Sequence, residues 1–322
     1  MKEPIKELAN VENIKEDLIK EFERSLNEFK KKVDCFIYPL IIPPLNSIDE
    51  DVLFEVFPDL KKIGKQKRLH VLLYSYGGDA HTAFHIGRLL QDYATEELYI
   101  YILREAKSAA TLLASSADKI IFSEISELGP MDPQIKDSEG GERFSPLAIK
   151  HVMDFLSDES RKGHSELVKT LAAKLPTTLQ LGEHLKSLET GKDYLFKLLK
   201  TRMFKEDSDE IVQKIAEKLV TGYPDHGYCI DFKEALEIGL KVEKVDPKIE
   251  NELFSVMENY KKVWDTFEKL IRDAKNRDDQ KIKDAMKLLK GIRTVATNII
   301  EGEIKENLEP KNQGSTELIE QR

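Results

Sequence analysis

The chain has 322 residues, 40% hydrophobic and 34% charged, with 50 Lys and Arg against 59 Asp and Glu, a net charge of −9. This is enough apolar material for one large core or two domains; the negative balance argues against general nucleic-acid binding, and no run approaches the roughly 18 apolar residues of a membrane-spanning helix. The charged opening lacks the apolar stretch of a secretory signal, and Cys35 and Cys229, far apart in the chain, make neither a disulfide framework nor a zinc motif, so a cytoplasmic location is expected.

Ile14, Leu18, Phe22, Leu26, Phe29 and Val33 recur at spacings of three and four, which predicts an N-terminal helix within residues 1–33. Residues 35–42 (CFIYPLII) read as a short strand stopped by Pro43-Pro44. From Ser47 to about Ile63 a helix is expected, with Ser47 and Glu50 as a capping box. The basic run at 61–68 reads as a solvated connection. Then LHVLLYS (69–75), LYIYIL (98–103) and KIIFS (119–123) are strand patterns, separated by a helix with Ala83, Phe84, Gly87 and Leu90 on one face and by a small-residue helix at 108–117. Strands alternating with helices at this spacing predict parallel β–α–β units. The core is expected over 34–248, with a helical insertion at about 145–220 and a compact return near 228–246. Residues 249–302 predict a helical hairpin turning at 276–279. Its apolar stripe needs a cover: the N-terminal helix, the core or a second subunit. Residues 303–322 are polar and aperiodic, which predicts a disordered tail.

Two strand ends carry possible chemistry. The first strand runs into Tyr76-Gly77-Gly78-Asp79 and a helix. A glycine pair lets backbone approach a ligand and aims N–H groups at it; read alone it is equally a tight strand-to-helix turn. The second strand runs into Arg104-Glu105-Ala106-Lys107-Ser108-Ala109-Ala110-Thr111. Read alone, Ser108 is equally an ordinary helix N-cap. In a parallel sheet, however, neighbouring strands end at one crevice. Glycine N–H groups beside a serine hydroxyl suit acyl transfer, because the donors can hold an oxyanion.

The runs LHVLLYSYGGDAHTAFHIGRLL, AKSAATLLASSADKIIFSE, ELGPMDPQI and GYPDHGYCIDFKEALEIGL resemble the serine dehydrogenase proteinase family. That family lies in the Clp protease/crotonase-like superfamily and is related to signal peptide peptidase A and the NfeD-type serine proteases. The resemblance implies an α/β, Clp/crotonase-like spiral core with helical appendages at both ends. It also implies a serine peptidase acting through an acyl-enzyme, with no cofactor or metal required. It assigns Ser108 as nucleophile and Gly77, Gly78 and the Ala109 N–H to the oxyanion hole. The chain departs from the pattern at Ala110, where relatives usually carry glycine, and at Tyr76, where Clp proteases carry proline. The terminal helices and the detail of 150–220 lie outside the resemblance.

A serine hydroxyl needs a neighbour to take its proton, and three residues are candidates. His226, in Tyr223-Pro224-Asp225-His226-Gly227-Tyr228, stands where Clp proteases place their triad aspartate. An imidazole suits general-base work without a large perturbation, although the same residue reads equally as a loop histidine. Asp132, in Gly129-Pro130-Met131-Asp132-Pro133, stands near where those proteases place their histidine, and otherwise reads as a turn-forming Asp-Pro. The two partners exchanged would give Ser108–His226–Asp132, since triads are defined by geometry and not by chain order. Lys150 is the alternative base, at a place comparable to the dyad lysine of the NfeD-type and signal-peptide peptidases. It needs burial to lower its pKa, and otherwise is a solvated helix lysine. His81 and His85 have metal-like spacing but no third ligand. Cys229, beside His226, is a minor alternative nucleophile.

The resemblance leaves three rival classes: a crotonase-like acyl-CoA enzyme that uses no serine nucleophile, a catalytically idle scaffold, and a peripheral membrane protein. The partners expected are a peptide or protein substrate and further copies of the chain in a homo-oligomer, with the 249–300 helices at or near the interfaces; no nucleic acid is expected.

Overall fold

The structure is a computed structural model that describes residues 3–33, 35–133, 135–136, 143–144, 146–175, 178–273 and 279–308. In chain order the elements are α1 (Glu3–Lys32), β1 (Phe36–Ile41), α2 (Glu50–Ile63), β2 (Gln66–Ser75), α3 (Ala80–Tyr93), β3 (Ala94–Ala106), α4 (Ala109–Ala114), β4 (Lys119–Phe122) and β5 (Glu127–Leu128). There follow β6 (Ile135–Lys136), β7 (Arg143–Phe144), α5 (Pro146–Arg161), α6 (Ser165–Ala172), α7 (Thr178–Thr201), α8 (Asp209–Thr221), α9 (Phe232–Ile238), β8 (Val242–Lys244), α10 (Glu250–Asp273) and α11 (Asp279–Leu308).

The main sheet has the order β1-β2-β3-β4-β8, all parallel, and β5 adds to β3 beyond β4. Its strands are continuous apolar runs because helices cover both faces. Side chains alternate between the faces with period two. Leu69, Val71 and Leu73 of β2 join one core with Val56 and Leu60 of α2, Ile86 of α3 and Leu112 of α4. Leu72 and Tyr74, with Tyr101 and Leu103 of β3, join a second core with Phe22 and Phe29 of α1, Tyr260 and Val263 of α10, and Ile292 of α11. The α/β architecture expected from the sequence is therefore present.

Two expectations are corrected. Asp49, not Ser47, caps α2: its carboxylate accepts Val52 N–H at 3.2 Å, two residues further along than the capping-box reading. The last helix runs on to Leu308, so 303–308 are helical; residues 309–322 lie outside the described residues, as do 274–278 at the hairpin turn. The apolar stripes of α10 and α11 pack in large part against α1 and the second face of the sheet, while Phe254, Ile271, Ile282 and Met286 on the same two helices stay exposed. Among the described residues, no helix is long and apolar enough to cross a membrane.

Candidate active site

β2 and β3 end side by side, with Ser75 opposite Ala106 after a register shift. Beyond β2, the Gly77 N–H donates to Ser75 Oγ at 3.0 Å. Ile48 then clamps the loop: its N–H donates to Gly77 O at 2.8 Å, and its carbonyl accepts from Asp79 N–H at 2.7 Å. Gly77 and Gly78 stand at φ 102° and 152°. A Cβ on Gly78 would lie 2.3 Å from Ile48 O, and one on Gly77 would lie 2.7 Å from Lys107 O and 2.9 Å from Ser108 Cβ. Backbone this close requires glycine. The Gly78 N–H has no acceptor among the described residues.

Beyond β3, Lys107 N–H donates to Ser75 O at 3.0 Å, which locks the two exits together. Ser108 follows at φ 52°, ψ −120°, the one non-glycine residue with positive φ among the described residues. Such strained residues persist only where their surroundings over-determine them, and they cluster at active sites. A serine on a sharp strand-to-helix turn also presents its hydroxyl to the crevice. The N-cap reading of Ser108 is not realised: its side chain makes no capping hydrogen bond. Thr111 pins the turn from below, with Oγ1 2.8 Å from Ala106 O and 2.7 Å from Gly129 O. The Ala109 N–H, like that of Gly78, has no acceptor among the described residues.

The Asp132 carboxylate and the His226 imidazole meet, Oδ1 to Nδ1, at 2.6 Å. Asp132 is 3% exposed and His226 about a third exposed. Backbone brings them together. Leu128 and Ile230 exchange a pair of N–H···O bonds at 2.9 and 3.0 Å, and Met131 N–H donates to Leu219 O at 2.9 Å. Asp225 Oδ1 accepts Gly227 N–H at 2.8 Å, which tightens the turn around His226. A carboxylate on Nδ1 fixes the tautomer that leaves Nε2 as acceptor. Nε2 has no partner among the described residues, and Ser108 and His226 are not hydrogen bonded to each other. Lys150 lies in α5, but its side chain is outside the described residues.

One cluster escaped the sequence reading. Glu127 accepts from Lys107 Nζ at 2.5 Å, Arg104 Nη1 at 3.0 Å and the Cys229 thiol at 3.0 Å. Burial alone would raise the Glu127 pKa, but these donors hold it down to about 2. The Cys229 thiol is pushed up to about 11 by burial and by bonding to Glu127. That is the reverse of an activated thiolate, so the cysteine-nucleophile reading is set aside. Lys107 is likewise engaged, donating also to Leu128 O at 3.2 Å. Nothing in the sequence marks Glu127 among so many acidic residues. His81 pairs with Tyr194 at 2.8 Å.

The model of the ClpP-like SDH-type serine proteinase family matches residues 37–270. The chain is 28% identical over 207 residues to Uncharacterized protein MJ0137 of Methanocaldococcus jannaschii, an alignment covering 64% of this chain and 63% of that one. It is 24% identical over 202 residues to Uncharacterized protein MJ1495 of the same organism, covering 63% and 61%. The chain thus spans less than two thirds of the length of these curated relatives. Among solved structures, it is similar to two forms of the 1510-N membrane-bound stomatin-specific protease. One is a serine-to-alanine mutant, at 14% identity, TM-score 0.42, and coverage of 67% of this chain and 83% of that one. The other is a lysine-to-alanine mutant in complex with a substrate peptide, at 14% identity, TM-score 0.41, and coverage of 66% and 77%.

Proposed function

The chain belongs to the ClpP-like SDH-type serine proteinase family, and from that premise we propose that it hydrolyses peptide bonds through a Ser108 acyl-enzyme. The observation that carries the reading is the 2.6 Å contact between Asp132 and His226, an imidazole oriented by a buried carboxylate as a general base requires. Ser108 Oγ attacks the scissile carbonyl carbon, and its proton passes to His226 Nε2. Asp132 holds the imidazole in the required tautomer and stabilises the imidazolium. The tetrahedral oxyanion accepts hydrogen bonds from the Gly78 and Ala109 N–H groups, each strong donor worth about 3–4 kcal/mol. Gly77 serves by leaving room for Ser108, because Ser75 takes its N–H. Collapse expels the amine, which takes the proton from His226. Water then repeats the sequence on the acyl-enzyme and releases the acid. The Ser108–His226 hydrogen bond closes when substrate fills the crevice, as catalytic contacts often tighten only in the complex.

Two observations favour this reading over its rivals. An acyl-CoA enzyme or an idle scaffold has no use for a serine held at positive φ without a capping role. A Lys150 base would leave the oriented imidazole without a task. Exposed Val152, Met153 and Phe155 on α5 offer a face for further copies of the chain, and the homo-oligomer is proposed on that surface. The test is a fluorophosphonate probe with mass spectrometry of the labelled peptide. Labelling is expected at Ser108 in the folded chain and absent in Ser108→Ala; a folded chain that stays unlabelled overturns the proposal.

A further inference from the structure

On the other face of the sheet lies a pocket that this mechanism does not use. It sits between the ends of β2 and β3 and helix α10, with a volume of about 440 Å³, within the range of small-ligand sites. Tyr74, Tyr76, Leu103, Met257, Tyr260 and Trp264 form its wall.

Two features set it apart from a packing defect. First, Tyr260 is 4% exposed, yet its hydroxyl has no hydrogen-bond partner among the described residues. Buried polar groups are as a rule paired. Among the tyrosines of the wall, Tyr260 is the one whose buried hydroxyl is left unpaired. Second, the rings are held at angles that receive another ring. Tyr74 and Tyr260 have centroids 4.8 Å apart at 58°, Tyr74 and Tyr76 5.9 Å apart at 55°, and Trp264 is stacked on Phe267 at 4.8 Å. Tilted and offset surfaces of this kind suit an aromatic guest. The rim carries Arg104 and Lys261 against Glu105, Glu258 and Asp265. A charged guest of either sign therefore meets like charge, and a neutral one does not.

The pocket is tied to the candidate active site. Tyr76 directly precedes the glycine pair. Arg104 pairs with Glu127, which holds Lys107, the residue before Ser108. An extended peptide advances ~3.3–3.6 Å per residue, so a chain seated at Ser108 reaches Tyr76 and Arg104 within a few residues.

We propose that this pocket binds the aromatic side chain of a peptide, with a polar ring substituent on the Tyr260 hydroxyl, so that tyrosine is preferred to phenylalanine and both to alanine. That the guest belongs to a peptide rests on the proteolytic reading above; the preference for a neutral aromatic group does not.

The test uses the full chain carrying Ser108→Ala and blocked alanine pentapeptides with Tyr, Phe or Ala at the centre. The chain has a single tryptophan, Trp264 in the pocket wall, whose fluorescence reports occupancy. Saturable changes are expected with the Tyr and Phe peptides and none with the Ala peptide, the Tyr peptide binding about 3–10-fold more tightly through one hydrogen bond. Tyr260→Phe should erase that advantage and keep Phe binding. Met257→Trp, read by calorimetry, should lose both. Equal or absent responses to the three peptides overturn the proposal, as does a Tyr advantage that survives Tyr260→Phe. Fluorophosphonate labelling of the wild-type chain separates the two readings. A labelled chain that ignores tyrosine removes the pocket alone, and an unlabelled chain that binds tyrosine removes the peptidase alone.

Discussion

Asp132 and His226, 94 residues apart in the chain, share a 2.6 Å hydrogen bond between a buried carboxylate and a partly exposed imidazole. If this pair activates Ser108, its members act as a unit. His226→Ala is then expected to cost nearly as much rate as Ser108→Ala. Asp132→Asn should cost on the order of 10³–10⁴-fold by releasing the wrong tautomer. Lys150→Ala should stay within about threefold of wild type on the same substrate, since one base suffices. Steady-state rates for the four variants decide, and a severe Lys150→Ala loss beside a tolerated His226→Ala would transfer the role of base to lysine.

Gly78 has no room for a side chain. A methyl group there would strike Ile48 backbone at 2.3 Å, at a φ of 152°. Gly78→Ala is expected to lower stability by about 1–3 kcal/mol through strain and to slow fluorophosphonate labelling at least tenfold by displacing the N–H donor. Urea unfolding and labelling rates measured together check this; a variant with normal stability and normal labelling refutes the assignment.

Glu127 links acid stability to thiol chemistry. Its pKa falls from an ordinary 4.5 to about 2 in the folded chain. A depressed carboxylate pKa contributes stability that is fully present above the ordinary value and lost as pH falls toward the folded one. The stability gap between wild type and Glu127→Gln should therefore shrink between 4.5 and about 2. The same substitution should bring the Cys229 thiol part of the way down from about 11, because burial persists while the carboxylate is gone. Alkylation of the Cys229 peptide at about pH 8 should speed up several-fold. An unchanged rate would disconnect the two groups.

Assembly is testable apart from catalysis. Static light scattering at micromolar concentration is expected to give a multiple of the single-chain mass. Phe155→Glu on α5, where Phe155 is 48% exposed, should reduce that mass, because a charge would be desolvated at the interface. A monomer in both cases removes the homo-oligomer.

The sequence by itself determined the alternation of strands and helices in the core, because the apolar runs and the turns that bound them are local signals. It also determined that Gly77, Gly78 and Ser108 meet, since neighbouring parallel strands must end at one crevice. Tertiary structure decided how these residues are held. Ser108 reads equally as an N-cap or, by resemblance, as a nucleophile, and only its φ of 52° and missing capping bond set the N-cap reading aside. His226 and Asp132 read from sequence either as turn residues or as exchanged triad partners, and their 2.6 Å contact appears only once the bonds between Leu128 and Ile230 bring their loops together. The stripes on α10 and α11 demand a cover but do not name it, and only the fold shows α1 and the sheet taking a large part of them. Glu127 is one acid among 59 Asp and Glu until Arg104, Lys107 and Cys229 surround it. The division follows from range: hydrophobic period and turn chemistry act over a few residues, whereas burial, charge pairing and backbone strain depend on neighbours that the chain supplies from far away.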